Sequence, residues 1–238
     1  MSTLTTFGSV AESCDNRAMH DDPWAEARAH FATAFAPLTE RGYRLERVAD
    51  SATYWTLHDE HLAGDFPPEM FFDLRATRTA TERAAADALL TTRADRSLSD
   101  YTLVHHGGEV VAMFSGEQRD RGVYRMWHTN VRRTHRRQGL YRQILAATIA
   151  YTRALGFDTI TSEHAPSNNA VIIAKLGAGF TIHALEIDPM AGLSLVLRYY
   201  HHAADREAYE FRCGLATISP ALRDAGFGGF AVLRDQLR

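Results

Sequence analysis

The stretch that most constrains the fold of this chain runs from residue 123 to residue 156. An apolar, strand-like segment, Val123 to Asn130, leads into a basic turn that reads Val131-Arg132-Arg133-Thr134-His135-Arg136-Arg137. A helix-like run follows from Gln138 to Leu155 and stops at Gly156. Strand, basic turn, glycine and helix in that order have a physical consequence. The first turn of a helix leaves backbone N–H groups without internal partners and carries a partial positive charge. Gly139 has no Cβ, so a ligand can approach the backbone closely there. The arginines add charge and forked donors suited to phosphate oxygens. Together these predict an anion site, and a diphosphate is the natural guest. A solvated basic turn or a nucleic-acid patch is the alternative reading of the same residues.

Arg136-Arg137-Gln138-Gly139-Leu140-Tyr141 resembles the acyl-CoA-binding motif of the GNAT acyltransferase superfamily, R/Q-x-x-G-x-G/A at the start of the helix after the fourth strand. Tyr141 stands where the family usually has Gly or Ala. A second stretch, residues 163–180, is similar to another family pattern. There the fifth strand ends in E-V-x-x-x-N and a helix follows, N-x-x-A-x-x-x-Y-x-x-x-G-F. Aligned on the final Gly-Phe, this chain supplies Glu163, Asn168, Val171, Lys175, Gly179 and Phe180 at those places. The resemblance covers roughly residues 101–200.

It implies a mixed α/β fold, a central mixed and mostly antiparallel sheet flanked by helices, with N-terminal and C-terminal helical extensions. It implies an acyl-CoA-dependent N-acyltransferase, an acetyltransferase in the first instance, with acetyl-CoA or another acyl-CoA as co-substrate and no metal. The acceptor would be a small-molecule or peptide amine that attacks the thioester directly, with both substrates bound. Val131, Arg132 and Arg133 would line the pantetheine through backbone contacts. Arg136, Arg137, Gln138, Gly139, Leu140 and Tyr141 would hold the diphosphate, and Asn168 would contact CoA or cap the helix that follows it. Glu163 matches the family's general base, and a salt bridge to one of the arginines is its structural alternative. Lys175 replaces the tyrosine that often protonates the leaving sulfur. A lysine could do so by charge or proton donation, or it could point to solvent. Tyr141, Tyr199 and Tyr200 are other phenols in the region. Two further readings stay open: a donor that is a longer acyl-CoA or an acyl carrier protein, and a non-catalytic acyl-CoA-binding regulatory module.

Composition bounds these readings. A net charge of −3 argues against bulk nucleic-acid binding, so the basic cluster is local. Apolar residues make up 45% and charged residues 23%, ordinary for a soluble globular chain. Cys14 and Cys213 form no metal or disulfide pattern, and no histidine pair has metal-ligand spacing. No signal peptide or membrane-length apolar run is present, so the expected setting is the cytoplasm.

Composition and periodicity mark a loose tail (1–22) and a helical extension (201–238); the resemblance implies that 23–200 is an acyltransferase-like domain on which the extension packs, with room for a homodimer. Helices are expected at 24–41, 79–92, 138–155, 169–178, 203–213 and 220–238. Strands are expected at 43–48, 101–105, 109–117, 123–131, 158–164, 180–187 and 193–200. Residues 50–62 read as helix or loop. The apolar group Met70, Phe71, Phe72 and Leu74 reads as core or as a wall for an acyl chain. Along the fourth strand, strict alternation puts Arg125, Trp127 and Thr129 on one face and Tyr124, Met126 and His128 on the other. His128 and His164 are weighed there as structural or catalytic imidazoles.

Overall fold

The computed structural model describes residues 25–65, 98–120, 122–188 and 192–215, with isolated positions at 79–81, 84, 217, 219 and 220. The expected tail, the Met70–Leu74 group, nearly all of the 79–92 helix and the 220–238 helix lie outside the described residues.

The chain opens with α1 (Ala25–Glu40), β1 (Arg44–Arg47) and α2 (Ser51–His61). Ala27, Phe31, Phe35 and Leu38 form the buried stripe of α1, at helical spacing. Residues 50–62 resolve as a helix because Asp50 caps it: Oδ1 accepts the Thr53 N–H at 2.9 Å. Then come β2 (Ser99–His106), β3 (Glu109–Asp120) and β4 (Val123–Val131). Gly107 and Gly108, both at positive φ, make the two-residue turn between β2 and β3. After β4 follow α3 (Leu140–Ala154), β5 (Thr159–His164), α4 (Asn169–Gly177), β6 (Thr181–Asp188), β7 (Gly192–Tyr200) and α5 (Ala203–Arg212).

Among the described residues the strands form one seven-stranded sheet in the order β1-β2-β3-β4-β5-β7-β6. Every neighbouring pair is antiparallel except β4 and β5. That parallel pairing is short. Val123, Tyr124 and Arg125 face Thr159, Ile160 and Thr161, and then the strands part. β4 stays paired to β3 as far as Val131, and β5 to β7 as far as His164. The sheet therefore forks beyond Arg125. A bulge sits at the branch: Ser115 faces His128 and Gly116 faces Met126, which leaves Trp127 as the extra residue on β4. A bulge bends its strand and increases its twist, which accounts for β4 turning away here.

The bulge also corrects the expected alternation. Tyr124 and Met126 face the larger core with α1, α3 and α4, and beyond Trp127 the faces exchange. His128 and Asn130 then point to the α2 side, where the Tyr54 hydroxyl meets His128 Nδ1 at 2.8 Å and Asn130 Nδ2 lies 3.3 Å from His58 Nε2. Tyr54 and Leu62 pack there on Leu103, Val110 and Met113. Burial, and then the neighbouring His58, push the His128 imidazole down to about 3.

The larger core is tied by one buried carboxylate. Asp100 accepts from Arg47 Nη2 at 2.7 Å, from the Tyr124 hydroxyl at 3.0 Å and from the Tyr151 hydroxyl at 3.2 Å. It thereby links β1, β2, β4 and α3. Burial raises its proton affinity, and Arg47 and the two phenols oppose that. Removing the carboxylate leaves a partly buried guanidinium and two buried phenols without their acceptor. Asp100→Leu is expected to cost about 3–5 kcal/mol, read as a lowered midpoint in urea unfolding.

Candidate active site

The turn that leaves β4 is held by its own arginines. Arg132 Nε donates to the Val110 carbonyl at 2.9 Å, and Nη2 donates to the His61 carbonyl at 3.1 Å. Arg136 Nε donates to the Val131 carbonyl at 2.8 Å, and Nη2 donates to the Asp65 carbonyl at 2.7 Å. The Arg133 N–H donates to Asp65 Oδ1 at 3.1 Å. Arg132 and Arg136 thus serve as struts that bind carbonyls of the protein itself, and their side chains are committed before any ligand arrives.

Arg137, Gln138 and Gly139 complete the turn, with Arg137 at φ 62° and Gly139 at φ 82°. Left-handed backbone is costly except at glycine, and here two such residues, with Gln138 between them, aim the chain into α3. Gly139 is the N-cap of α3 and supplies no side-chain cap, so the first N–H groups of the helix keep their donor capacity. Arg137 and Arg142 are exposed beside them, Leu140 is buried, and Tyr141 packs against the core. Burial raises the Tyr141 phenol, which argues for a packing role. Val131 also packs against the core, so its backbone is what faces the fork. Asn168 caps α4 by backbone only. Its side chain makes no cap hydrogen bond and is exposed.

The two halves of the fork carry different chemistry. On the α2 side of the sheet, Glu163 sits at the end of β5. Its Oε1 accepts from Arg119 Nη1 at 2.9 Å, and its Oε2 is paired with Arg125 Nη2. Arg125 also lies 3.7 Å from Glu117 Oε1 and stacks over the exposed Trp127 ring, 3.8 Å from its centroid. Both oxygens of the expected base are therefore engaged by guanidinium groups. Arg119 and Arg125 lie 44 and 38 residues from Glu163 in sequence, and only the sheet register brings them together.

On the opposite side lies Lys175. It is 1% exposed, against the usual fate of a lysine. Its Nζ donates to Ser162 Oγ on β5 at 2.5 Å and lies 3.4 Å from Met126 Sδ on β4. The Phe180 ring is 4.8 Å away. Lys175 thus touches both strands where they separate. Ser162 in turn lies 2.7 Å from His164 Nε2. Burial pushes the lysine down to about 7. Burial, and then the lysine's charge, push His164 down to about 3. Lys175 is also the only lysine in a sequence with 26 Lys and Arg residues, a signal that a residue count makes visible. Ser162 matches no family position, and His164, weighed above, stands where the family pattern has Val. Among the described residues no cluster of three or more His, Cys, Asp or Glu could hold a metal, and no helix is long and apolar enough to cross a membrane.

Burying the lysine has a cost that depends on pH. An unfolded lysine keeps its proton up to about 10.5, whereas the folded one loses it near 7. Between these values the unfolded chain binds more protons, so this group makes stability rise with pH. Below about 7 the penalty is complete, on the order of 5 kcal/mol. Lys175→Met is therefore expected to unfold at a higher temperature than the wild type at pH 6, with the gap closing toward pH 10 in thermal melts.

No curated protein matches the chain. Solved structures with a similar trace include the ribosomal-protein-S18-alanine N-acetyltransferase of Escherichia coli (13% identity, 66% of this chain and 93% of that one, TM-score 0.46). A phosphinothricin acetyltransferase of Sinorhizobium meliloti, solved with acetyl-CoA, shares 12% identity over 67% of this chain and 88% of its own, with a TM-score of 0.47. A GNAT family acetyltransferase of Elizabethkingia anophelis with acetyl-CoA bound shares 13% over 67% and 98%, with a TM-score of 0.43. The family model described as Acetyltransferase (GNAT) family matches residues 51–174, from the start of α2 through β5 and most of α4. With just over half its length matched, and with the forked sheet and glycine-capped helix inside that span, this chain belongs to the GNAT acetyltransferase family.

Proposed function

We propose that the protein transfers an acyl group, acetyl in the first instance, from acyl-CoA to a primary amine by direct attack. The observation that carries this reading is the fork between β4 and β5, whose β4 arm runs into the uncapped start of α3. Unpaired strand edges offer N–H and C=O groups to an extended, amide-bearing arm such as pantetheine. The free N–H groups at Gly139 and beyond, with Arg137 and Arg142, suit the diphosphate at its far end. Backbone groups of Val131, Arg132 and Arg133 would meet the pantetheine, while the side chains of Arg132 and Arg136 keep the turn in shape. The exposed Asn168 amide would meet CoA from the β5 side.

The two faces of the fork divide the proton handling. Lys175, as an ammonium, protonates the sulfur as the C–S bond breaks, in the role expected from its position. Its proton affinity near neutrality suits a group that must give up a proton at working pH. Glu163 draws the amine as its ammonium, which competes with half-exposed Arg119 for Oε1. The proton that the amine must shed before it attacks passes to water on that side of the sheet, which leaves the neutral amine as nucleophile.

Thiol release from acetyl-CoA with a panel of primary amines tests the activity. Lys175→Met is expected to lower kcat by about 100-fold while the KM for acetyl-CoA stays close to that of the wild type. Because the acid must carry its proton, wild-type kcat falls as pH rises through about 7, and Lys175→Met removes that limb. Glu163→Gln keeps a hydrogen-bonding group but loses the charge, so the KM for the amine is expected to rise by roughly tenfold, more than kcat falls. A full kcat in Lys175→Met would contradict the assignment.

A further inference from the structure

Side chains alternate along β5, so Ile160, Ser162 and His164 share one face, and that face carries Lys175. Ser162 is fully buried between two nitrogen atoms, Lys175 Nζ at 2.5 Å and His164 Nε2 at 2.7 Å. A serine hydroxyl has one proton to give and lone pairs to receive. An ammonium can only donate, so Ser162 accepts from Lys175 and donates to a neutral imidazole. The chain of donors runs in one direction, from the bottom of the fork to His164. His164 is half-buried at the last position of β5, and residues 166–170 beyond it are exposed.

Among the described residues, the other neighbours of the lysine offer it no exchangeable side-chain proton. β4 presents Met126, and the turn before β6 presents Phe180. The Tyr124 and Tyr151 hydroxyls of the same core are committed to Asp100. Tyr141 of α3 packs in that core, and Tyr199 of β7 lies against the Phe180 ring. Glu163, Arg119 and Arg125 are on the other face of the sheet.

We propose that Ser162 and His164 form a proton path that recharges Lys175 from solvent in each turnover. The inference rests on the reading of Lys175 as the acid. When Lys175 protonates the departing sulfur, an Nζ–H bond breaks, an S–H bond forms, and Nζ keeps the electron pair. Ser162 then turns its hydroxyl toward Nζ, and the His164 ring swings out to water, gives up its Nδ1 proton, gains one on Nε2 and swings back. A solvent proton bonds to Nδ1, the Nε2 proton passes to the serine oxygen, and the serine's own proton passes to Nζ. Lysine is again an ammonium, serine again a hydroxyl, and the imidazole is neutral with its proton on Nδ1. A buried acid that touched no such path would recharge only by opening the core.

Because Lys175 is the only lysine, the full chain labelled with heavy-isotope lysine gives one side-chain nitrogen signal. Exchange of its protons with water is the first readout. Ser162→Ala and His164→Ala are each expected to slow it by roughly tenfold or more, with Ser162→Thr close to the wild type and imidazole buffer restoring His164→Ala. The second readout is turnover of acetyl-CoA with the most active amine of the panel. There kcat falls in both alanine variants, imidazole restores it in His164→Ala, and the KM for acetyl-CoA does not move. Unchanged exchange in both alanine variants would overturn the path, and so would slowed exchange with wild-type kcat. Lys175→Met separates the two readings. If it turns over like the wild type, the acid assignment has failed. If it is slow while both alanine variants are fast, only the path has failed.

Discussion

The site depends on the parting of two parallel strands. β4 and β5 share a ladder at three positions and then separate, each still paired on its outer side. Unpaired backbone inside a sheet is expensive, because N–H and C=O groups removed from water need partners. The bulge at Trp127 opens the gap from the β4 side. Lys175 closes its floor by touching Met126 on one strand and Ser162 on the other. The fork is thus a built feature with side chains of opposite chemistry on its two faces. A carboxylate between guanidinium groups lies on one, and an ammonium in an apolar pocket lies on the other.

The buried lysine weighs against stability. A methionine would fill the volume of Lys175 without burying a charge, and buried ion or ammonium sites are commonly stabilised by such replacements. Retaining the chain's single lysine there makes sense if its proton is used. The arginines divide in a similar way. Arg132, Arg136 and Arg47 hold carbonyls and a carboxylate of the protein itself, whereas Arg137 and Arg142 stand exposed beside the α3 start. A guanidinium that makes two hydrogen bonds to a loop fixes its shape as a strut. A loop held this way presents its remaining N–H groups without paying for ordering when a ligand binds.

Much of the fold was legible in the sequence, because alternation and helical spacing mark elements that bury one face. Each described strand and, apart from α2, each helix named above falls where periodicity puts it, within a few residues at the ends. The helix over Ser51–His61 was ambiguous because its apolar residues form no clean stripe, and only the Asp50 cap bond decides it. The glycine-helix junction was readable because a glycine turn leading into a helix is a local pattern. The rest of the site was not. The Glu163 pairs join residues from three strands, and the exchange of faces after Trp127 comes from one extra residue that no pattern announces. Lys175 matched a family position, but its burial follows from Met126, Ser162 and Phe180 converging on it from separate elements.

An acyl-CoA site at the start of α3 is tested by calorimetric titration with acetyl-CoA and with longer acyl-CoAs, on the wild type and on Gly139→Glu. Gly139 sits at φ 82°, and a carboxylate there would meet the diphosphate with both bulk and charge. A thermal melt of the variant checks that α3 is still folded. Such a site gives saturable binding by the wild type and a loss of about 100-fold or more in the variant, with the chain-length series naming the acyl group. Absence of acyl-CoA binding by the wild type, or equal binding by a folded Gly139→Glu, would contradict it.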